Sequence, residues 1–387
     1  MMETNYTLKK NMNMVFAALI FIGIIVLIAG FMTDTQRTWA NILLNNYYFI
    51  TLAMGGLLFY SIQYITNSGW SALIQRVPQA LGAFLPVGAV LMLLMYFGLP
   101  HVYEWAYPGI TETDKLIAHK EPFLNVPFFM IRLVVYFALF LGVGYLLRKY
   151  ALLEDQNNDL KYHKKSRYYA QVYIFVGAIF FSFASKDWIM TIDSHWYSTL
   201  FGFRNMIISM YYGSAAIILM ILFLRSQGYF KQVNEAHFHD LGRYLFRFSI
   251  VWGYLWFMQF LIIWYANIPE LTVYYKPRFL GEWQWIFYGE LFVNFIIPFI
   301  VMMSDEVGKK PKVLMAISIL LLIGLWMNIY LQIMPGAYGP VKFGFIEAGM
   351  WLGYAGLFLG VVFQALSRAA LVPKNHPYLE ESLHHHV

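Results

Sequence analysis

Ten apolar runs, each about twenty residues long, constrain what this chain can fold into more than any other feature. About 20 apolar residues are needed for a helix to cross the hydrocarbon core of a bilayer. Only 12% of the 387 residues are charged, whereas soluble domains carry about 25%. The sequence therefore predicts an all-α polytopic membrane protein with about ten transmembrane helices. The predicted spans, numbered 1 to 10, are 14–32, 47–66, 79–99, 126–147, 168–188, 205–224, 245–266, 284–303, 313–333 and 344–366.

The distribution of lysine and arginine predicts the orientation. Segments on the same side as the N-terminus hold 18 of these residues, and segments on the opposite side hold 7. Cytoplasmic loops are the ones enriched in Lys and Arg, so both termini are expected to be cytoplasmic and residues 367–387 to form a short cytoplasmic tail. No segment reads as a separate soluble domain, so residues 1–387 form one integral membrane domain. The polar stretch 148–167 is expected to be a solvated inner loop.

Cysteine and histidine usage restricts the redox chemistry. The chain has no cysteine and ten histidines, none of them well inside a span. Iron–sulfur clusters need cysteine, and a membrane haem needs axial ligands within the bilayer. A role in electron transfer would then depend on holding quinone, moving protons or anchoring redox partners.

Charged residues within the spans are concentrated toward the outer side. A charge at the bilayer centre costs about 2.5–3.5 kcal/mol on insertion, so such residues suggest function. Arg132 and Glu290 lie about two turns inside spans 4 and 8. We expect them to be paired and to face the bundle interior, and their opposite charges at similar depth to neutralise each other. Lys186 and Asp187 close span 5 and Glu347 opens span 10, where charged residues ordinarily snorkel to the interface.

Further polar residues flank or enter the same spans. Asp193 and His195 follow span 5, and a carboxylate two residues away would raise the pKa of His195 toward proton exchange at neutral pH. The alternative is an ordinary interfacial histidine. Glu270 follows span 7, while Gln259 and Asn294 are the main polar groups near the midplane. The resulting candidates for a proton path or polar pocket are Arg132, Lys186, Asp187, Asp193, His195, Gln259, Glu270, Glu290 and Asn294.

Two stretches resemble a known family. They are KDWIMTIDSHWYSTLFG at 186–202 and QFLIIWYANIPELTVYY at 259–275. With ten spans and no redox ligands, they resemble the NrfD-like membrane subunits related to polysulfide reductase. Within that family the chain is most similar to the smaller NrfD-like subunit of bacterial alternative complex III. The resemblance implies two four-helix bundles, spans 2–5 (47–188) and spans 6–9 (205–333), with spans 1 and 10 as peripheral helices.

The resemblance also implies a function. Alternative complex III is a quinol:cytochrome c oxidoreductase of the bacterial inner membrane and the respiratory chain. The chain would not be catalytic alone and would carry no redox cofactor, while partner subunits hold haem c, iron–sulfur clusters and quinol. The implied partners are a paralogous quinol-binding membrane subunit, an iron–sulfur protein, multihaem cytochromes c and a terminal oxidase. The implied role is scaffolding, together with proton translocation through an outer half channel.

Two other functions fit the same spans. A secondary transporter also has about ten spans, and Pro86 and Pro298 are expected to kink spans 3 and 8. However, the sequence shows neither an evident pair of interrupted helices nor a charged midplane site. In a passive membrane anchor, the roles of Arg132, Glu290, Asp193 and His195 would be structural. A quinone site beside Asp193, His195 or Glu270 remains a lesser alternative to one in the paralogous subunit.

Overall fold

Ten long apolar helices form the framework of the protein. The computed structural model describes residues 6–386, and no β-strand is found among them. The helices correspond one to one with the predicted spans, which confirms an all-α polytopic membrane protein. They are α1 (Lys10–Thr33), α2 (Thr35–Ile65), α3 (Ala72–Val102), α4 (Val126–Gln156), α5 (Leu160–Ile192), α6 (Thr199–Ser226), α7 (Glu235–Ala266), α8 (Gln284–Met302), α9 (Pro311–Ala337) and α10 (Phe345–Ser367).

Several helices are longer than their apolar runs. α2 begins at Thr35 rather than at 47, and the segment before the predicted span contains Asn41, Asn45 and Asn46. In the apolar stretch of α2, 94% of residues are buried in protein, against 11% in α1. Polar side chains are tolerated there because protein, not lipid, surrounds them. The helix therefore begins about three turns before the predicted span 2.

The predicted inner loop 148–167 is also wrong. α4 continues to Gln156 and the next helix begins at Leu160, so only residues 157–159 connect them. The Asp159 carboxylate accepts a hydrogen bond from the Lys161 backbone N–H at 2.9 Å and caps α5. The polar residues that indicated a loop therefore form helical extensions beyond the apolar runs.

Contacts between the helices form two groups of four. In the first, α2, α3, α4 and α5 contact one another in a closed ring, and in the second α6, α7, α8 and α9 do the same. α2 and α5 pack on α6, and α2 also contacts α9, which joins the groups. α1 packs chiefly on α10, which in turn contacts α2 and α3. α2 is thus the helix around which both groups assemble.

Glycine allows the closest of these approaches. A Cβ atom on Gly213 of α6 would lie 2.7 Å from the Gly55 Cα of α2, closer than side chains tolerate. A Cβ on Gly353 of α10 would lie 2.5 Å from the Gly23 Cα of α1. Small residues that let backbones approach are a common basis of helix association in membranes.

Both prolines predicted to kink spans coincide with changes of helix type. In α3, a 3₁₀ turn (Gly82–Phe84) precedes Pro86, and the Leu85 N–H bonds the Gly82 carbonyl that Pro86 leaves free. In α8, a π turn (Phe292–Ile296) precedes Pro298. Proline removes the N–H that would bond the carbonyl four residues earlier, here that of Asn294. The hydroxyl of Tyr211 on α6 donates to this carbonyl at 3.0 Å instead.

The residues after α10 pack against the inner ends of the helices. The short helix Leu379–Leu383 places Ser382 where its hydroxyl donates to the Trp70 carbonyl at 2.6 Å. The Asn375 amide donates to the Asp155 carbonyl at 3.1 Å. The segment that the sequence predicted as a short tail is therefore ordered along these helix ends.

Candidate functional site

Two clusters of buried polar side chains lie toward the end of the helices that the charge bias predicts to face outward, called here the outer end. The first outer cluster is Arg132 and Tyr136 on α4 with Asp187 on α5. Arg132 Nε donates to Asp187 Oδ2 at 2.6 Å, and the Tyr136 hydroxyl donates to the same oxygen at 2.8 Å. The spacing of four residues places Arg132 and Tyr136 on one face of α4. Asp187 is buried, so interfacial snorkelling is the wrong interpretation for it.

The second outer cluster surrounds Glu290, whose residue is only 2% exposed. Trp256 Nε1 donates to Glu290 Oε1 at 2.8 Å, and Asn328 Nδ2 donates to Oε2 at 2.7 Å. The Arg204 guanidinium lies 3.9 Å from Oε1. Gln332 donates to the Asn328 side-chain oxygen at 2.7 Å. All four helices of the second group, α6 to α9, thus contribute to one carboxylate site.

A small cavity adjoins the second outer cluster. Its volume is about 20 Å³, enough for one water molecule, which needs roughly 10–15 Å³. Glu290 and Arg204 line it, and Tyr274, Tyr275 and Arg278 from the loop after α7 complete it. Burial raises the pKa of both tyrosines. The tyrosines therefore act as neutral hydroxyls, and the carboxylate is the group in this cavity suited to exchange a proton.

The expected pairing of Arg132 with Glu290 is wrong. The two residues belong to different helix groups, and each has polar partners within its own group. Glu347 at the start of α10 is likewise not an interfacial charge. It is fully buried and ion-paired with Arg37, whose Nε donates to Oε1 at 2.8 Å, and Asn41 donates to the same oxygen at 3.0 Å.

The loop after α5 separates two residues that the sequence suggested would interact. Arg278 Nη2 donates to Asp193 Oδ2 at 3.2 Å, whereas His195 Nε2 lies 2.6 Å from Asp114 Oδ2. The predicted Asp193–His195 pair is therefore wrong, since each residue pairs with a group brought from another loop. Glu104 Oε2 lies 3.7 Å from His195 Nδ1. His195 has its carboxylate partners in the segment that precedes α4.

Asp114 also caps the short helix Lys115–Lys120. Its carboxylate accepts hydrogen bonds from the backbone N–H groups of Leu116 and Ile117 at 2.9 and 3.1 Å. The Ile117 N–H, together with His195, lowers the pKa of the Asp114 carboxyl below its ordinary value. This contact fixes the outer loop against the segment that follows α5.

A cleft of about 550 Å³ opens at the outer end beside these residues. Asp193, His195 and Trp196 form one wall, and His101 and Glu104 lie in the facing segment. The cleft and the small cavity are joined by a side-chain contact: Asp193 lines the cleft and bonds Arg278, which lines the cavity.

The remaining candidates are not brought into one continuous path. Glu270 is exposed on the short helix Pro269–Thr272, and Lys186 is half-buried with no carboxylate within 4.0 Å among residues 6–386. Asn294 lies in the π turn of α8, where its amide donates to the Gly324 carbonyl at 3.2 Å. Gln259 is buried, and neither of its amide atoms has a hydrogen-bond partner in the described part of the chain.

Sequence reasoning missed several members of the second outer cluster. Arg204 and Arg278 are two of the seven basic residues that the orientation count places in the outer segments, yet both are buried. Asn328 and Gln332 lie four residues apart within apolar span 9, and this spacing was a signal for a shared polar face. Trp256 gave no signal, because tryptophan is common in membrane helices for packing and interfacial reasons.

Neither a family model nor a curated protein matches this chain. Each helix group has one carboxylate that is buried near the outer end and hydrogen-bonded by neighbouring side chains.

Proposed function

We propose that this chain is a cofactor-free membrane subunit of a bacterial respiratory quinol:cytochrome c oxidoreductase of the alternative complex III type. In this proposal it scaffolds the haem c, iron–sulfur and quinol-binding subunits and provides an outer proton half channel. The assignment to the NrfD-like family depends on the two sequence stretches at 186–202 and 259–275. The observation that carries the proton role is the buried Glu290 carboxylate beside a water-sized cavity.

The outer half channel follows a series of contacts inward. Protons would enter the outer cleft at Asp193 and be carried by water beside Arg278 into the small cavity, where Glu290 accepts them. Arg278 and Arg204 stay protonated at any physiological pH, so they would hold water and carboxylates in place rather than relay protons themselves. Asn328 and Gln332 of α9 line the same cavity, and Gln332 lies one turn nearer the outer end than Asn328.

We assign the first outer cluster a structural role in the same proposal. Arg132 and Tyr136 share one oxygen of Asp187, and the Phe123 carbonyl accepts from the Arg132 guanidinium at 2.9 Å. Breaking a buried ion pair leaves an uncompensated charge and is strongly destabilising. This cluster would therefore hold α4 against α5 while the proton moves in the second helix group.

The test is proton movement by the assembled complex in liposomes. Glu290→Gln is expected to leave quinol oxidation running while fewer protons are moved per electron, because the amide cannot exchange a proton at this position. Glu270→Gln is the matched control, since it removes an exposed carboxylate at the same outer end. Haem c content per complex verifies that each variant assembles.

Two results would contradict the proposal at different points. An unchanged proton-to-electron ratio in an assembled Glu290→Gln complex would leave a passive anchor. Failure of the chain to co-purify with haem c and quinol oxidation activity would overturn the assignment to a respiratory complex.

One observation favours a secondary transporter as the second candidate. Both α3 and α8 are interrupted, by 3₁₀ turns and by a π turn respectively, and interrupted helices form the binding sites of many transporters. Uptake by proteoliposomes that contain only this chain would favour this function over the respiratory one.

A further inference from the structure

Three potential metal ligands converge at the inner end of the helices, opposite to the outer clusters. They are Glu154 near the end of α4, His163 in the first turn of α5 and His376 in the segment after α10. One ligand atom from each lies within 4.8 Å of the other two. Glu154 and His376 are buried, and the His163 side chain is only 11% exposed. We infer that these three residues bind one divalent transition-metal ion, with zinc as the best match.

The donor set favours zinc over the hard cations. Two imidazole nitrogens and one carboxylate oxygen form a typical three-ligand zinc site with one open position for water, whereas Ca²⁺ and Mg²⁺ prefer oxygen ligands. Ligand atoms of a tetrahedral site with bonds of about 2.0–2.1 Å lie about 3.3 Å apart. His163 Nδ1 and Glu154 Oε1 are already 2.9 Å apart. The His376 ligand atom lies within 4.8 Å of the other two, so side-chain movement can bring all three to this spacing.

Residues around the ligands orient two of them. The Tyr64 hydroxyl donates to Glu154 Oε2 at 3.1 Å, which leaves Oε1 directed at His163. The Tyr64 ring also stacks on His163, with ring centroids 5.3 Å apart. Partners of this kind fix ligand orientation, and their removal typically costs 10–100-fold in metal affinity. Tyr64 thus gives the site a positioning residue on a third helix, α2.

The charge state of the ligands suits a cation. Metal binding requires neutral imidazoles and an ionised carboxylate, and the donor set contains two histidines and one glutamate. The positive charge of Arg76 is paired with Asp155. Glu154, which contacts His163 and Tyr64, is the acidic member of the donor set.

Two contacts must be exchanged when the ion binds. The proton shared by His163 Nδ1 and Glu154 Oε1 must leave, and a hydrogen bond to His376 changes. The Tyr378 backbone N–H donates to His376 Nδ1 at 3.2 Å, which places the proton of the neutral ring on Nε2. Ligation through Nε2 would shift that proton to Nδ1 and break the hydrogen bond from the Tyr378 N–H. Tyr378 is only half-buried, so water can replace the lost bond. The bound ion would then tie the segment after α10 to the ends of α4 and α5.

Metal content of the purified full chain tests the site. The chain is prepared in detergent with a histidine-free N-terminal tag, stripped with chelator, dialysed against Zn²⁺ and analysed for bound metal. About one zinc per chain is expected. Glu154→Gln and His376→Gln are expected to lower the affinity at least 100-fold, and Tyr64→Phe 10–100-fold. His384→Gln is the control, because His384 is an exposed histidine of the same segment.

Cysteine substitution gives a second measurement that does not depend on loss of binding. The chain has no cysteine, so His163→Cys and His376→Cys each introduce a single thiolate. With Co²⁺ as the probe, each variant should develop a sulfur-to-cobalt charge-transfer band that the unmodified chain lacks. The inference is overturned if neither variant shows this band. It is equally overturned if the unmodified chain holds no stoichiometric zinc, or if His384→Gln loses as much zinc as His376→Gln.

Discussion

At the scale of single residues, the buried charges of this protein are held by specific partners. Asp187, Glu290 and Glu347 each accept hydrogen bonds from at least two side chains. Such arrangements are needed because an uncompensated charge in a low-dielectric interior is very costly. Position near a helix end therefore does not make a charge interfacial: the surrounding helices decide whether water reaches it.

Glu347→Gln should destabilise the protein strongly. The substitution leaves Arg37 buried without its counter-charge, and breaking one partner of a buried pair typically costs about 3–5 kcal/mol. It also weakens the bond from the Gly344 backbone N–H to Glu347 Oε2, now 2.8 Å. Thermal unfolding in detergent provides the measurement.

Glu306→Gln is the matched control for this substitution. It removes an exposed carboxylate paired with Lys309, and surface pairs contribute little. Equal unfolding temperatures for the two variants would mean that the Arg37–Glu347 pair does not stabilise the fold.

The cap at Asp114 should make the outer loop sensitive to acid. The folded-state pKa of Asp114 is below its ordinary value, which is about 3.9 in unfolded chains. The stabilisation that the ionised Asp114 carboxylate gives is therefore complete above the ordinary pKa and is lost as the pH falls through the lower folded-state pKa. Hydrogen exchange of the peptide containing Lys115–Lys120, corrected for intrinsic exchange rates, should show protection falling in this acidic window.

Two substitutions separate the cap from its charge. Asp114→Asn retains a good N-cap but cannot titrate, so its protection should not depend on pH. Asp114→Ala should show reduced protection at every pH. If the protection of this peptide in the unmodified chain does not depend on pH, the Asp114 carboxylate is not the titrating cap.

At the scale of elements, the interrupted helices show how a proline is accommodated in a membrane protein. In α3 the helix's own backbone compensates, because the Leu85 N–H donates to the Gly82 carbonyl that Pro86 leaves without a donor. In α8 a neighbouring helix compensates, because the Tyr211 hydroxyl of α6 donates a hydrogen bond to the Asn294 carbonyl. A buried carbonyl without a partner is costly in the absence of water, so α8 depends on its packing against α6.

A double-mutant cycle between Tyr211 and Pro298 tests this dependence. Tyr211→Phe alone should destabilise the protein by about 1–3 kcal/mol, the cost of leaving a buried acceptor unsatisfied. In the Pro298→Ala background the new N–H can bond the Asn294 carbonyl, so Tyr211→Phe should cost much less. Unfolding temperatures of the four proteins give the coupling. Additive effects would show that Tyr211 does not compensate for the proline.

At the scale of the whole molecule, the candidate proton path and the candidate metal site lie at opposite ends of the helices. The outer end holds the cleft, the small cavity and the two carboxylate clusters. The inner end holds Glu154, His163 and His376 with the ordered segment that follows α10. The proposed outer half channel therefore depends on the orientation of the chain in the membrane, whereas the metal site does not.

The orientation can be tested because the chain contains no cysteine. Exposed Glu112, in the short helix Ile110–Thr113, and exposed Gln227, in the turn after α6, lie at opposite ends of the long helices and can each be replaced by a single cysteine. In intact cells, a membrane-impermeant thiol reagent should label Glu112→Cys and not Gln227→Cys, as the distribution of lysine and arginine predicts. The reverse labelling pattern would place the cleft in the cytoplasm. Labelling of both after lysis is the control for accessibility.

The sequence by itself determined the all-α class and the ten spans, because each depends on the apolar length of one continuous segment. It also identified Arg132, Glu290 and the 186–202 loop as unusual, since polar groups stand out against apolar surroundings. It did not determine helix ends such as Thr35, because burial in protein rather than lipid permits polar residues there. Only the tertiary structure decided which groups meet: Arg37 and Glu347 are 310 positions apart, and no local pattern encodes such a pair. The same holds for Glu154, His163 and His376, which become one site only when α4, α5 and the segment after α10 pack together.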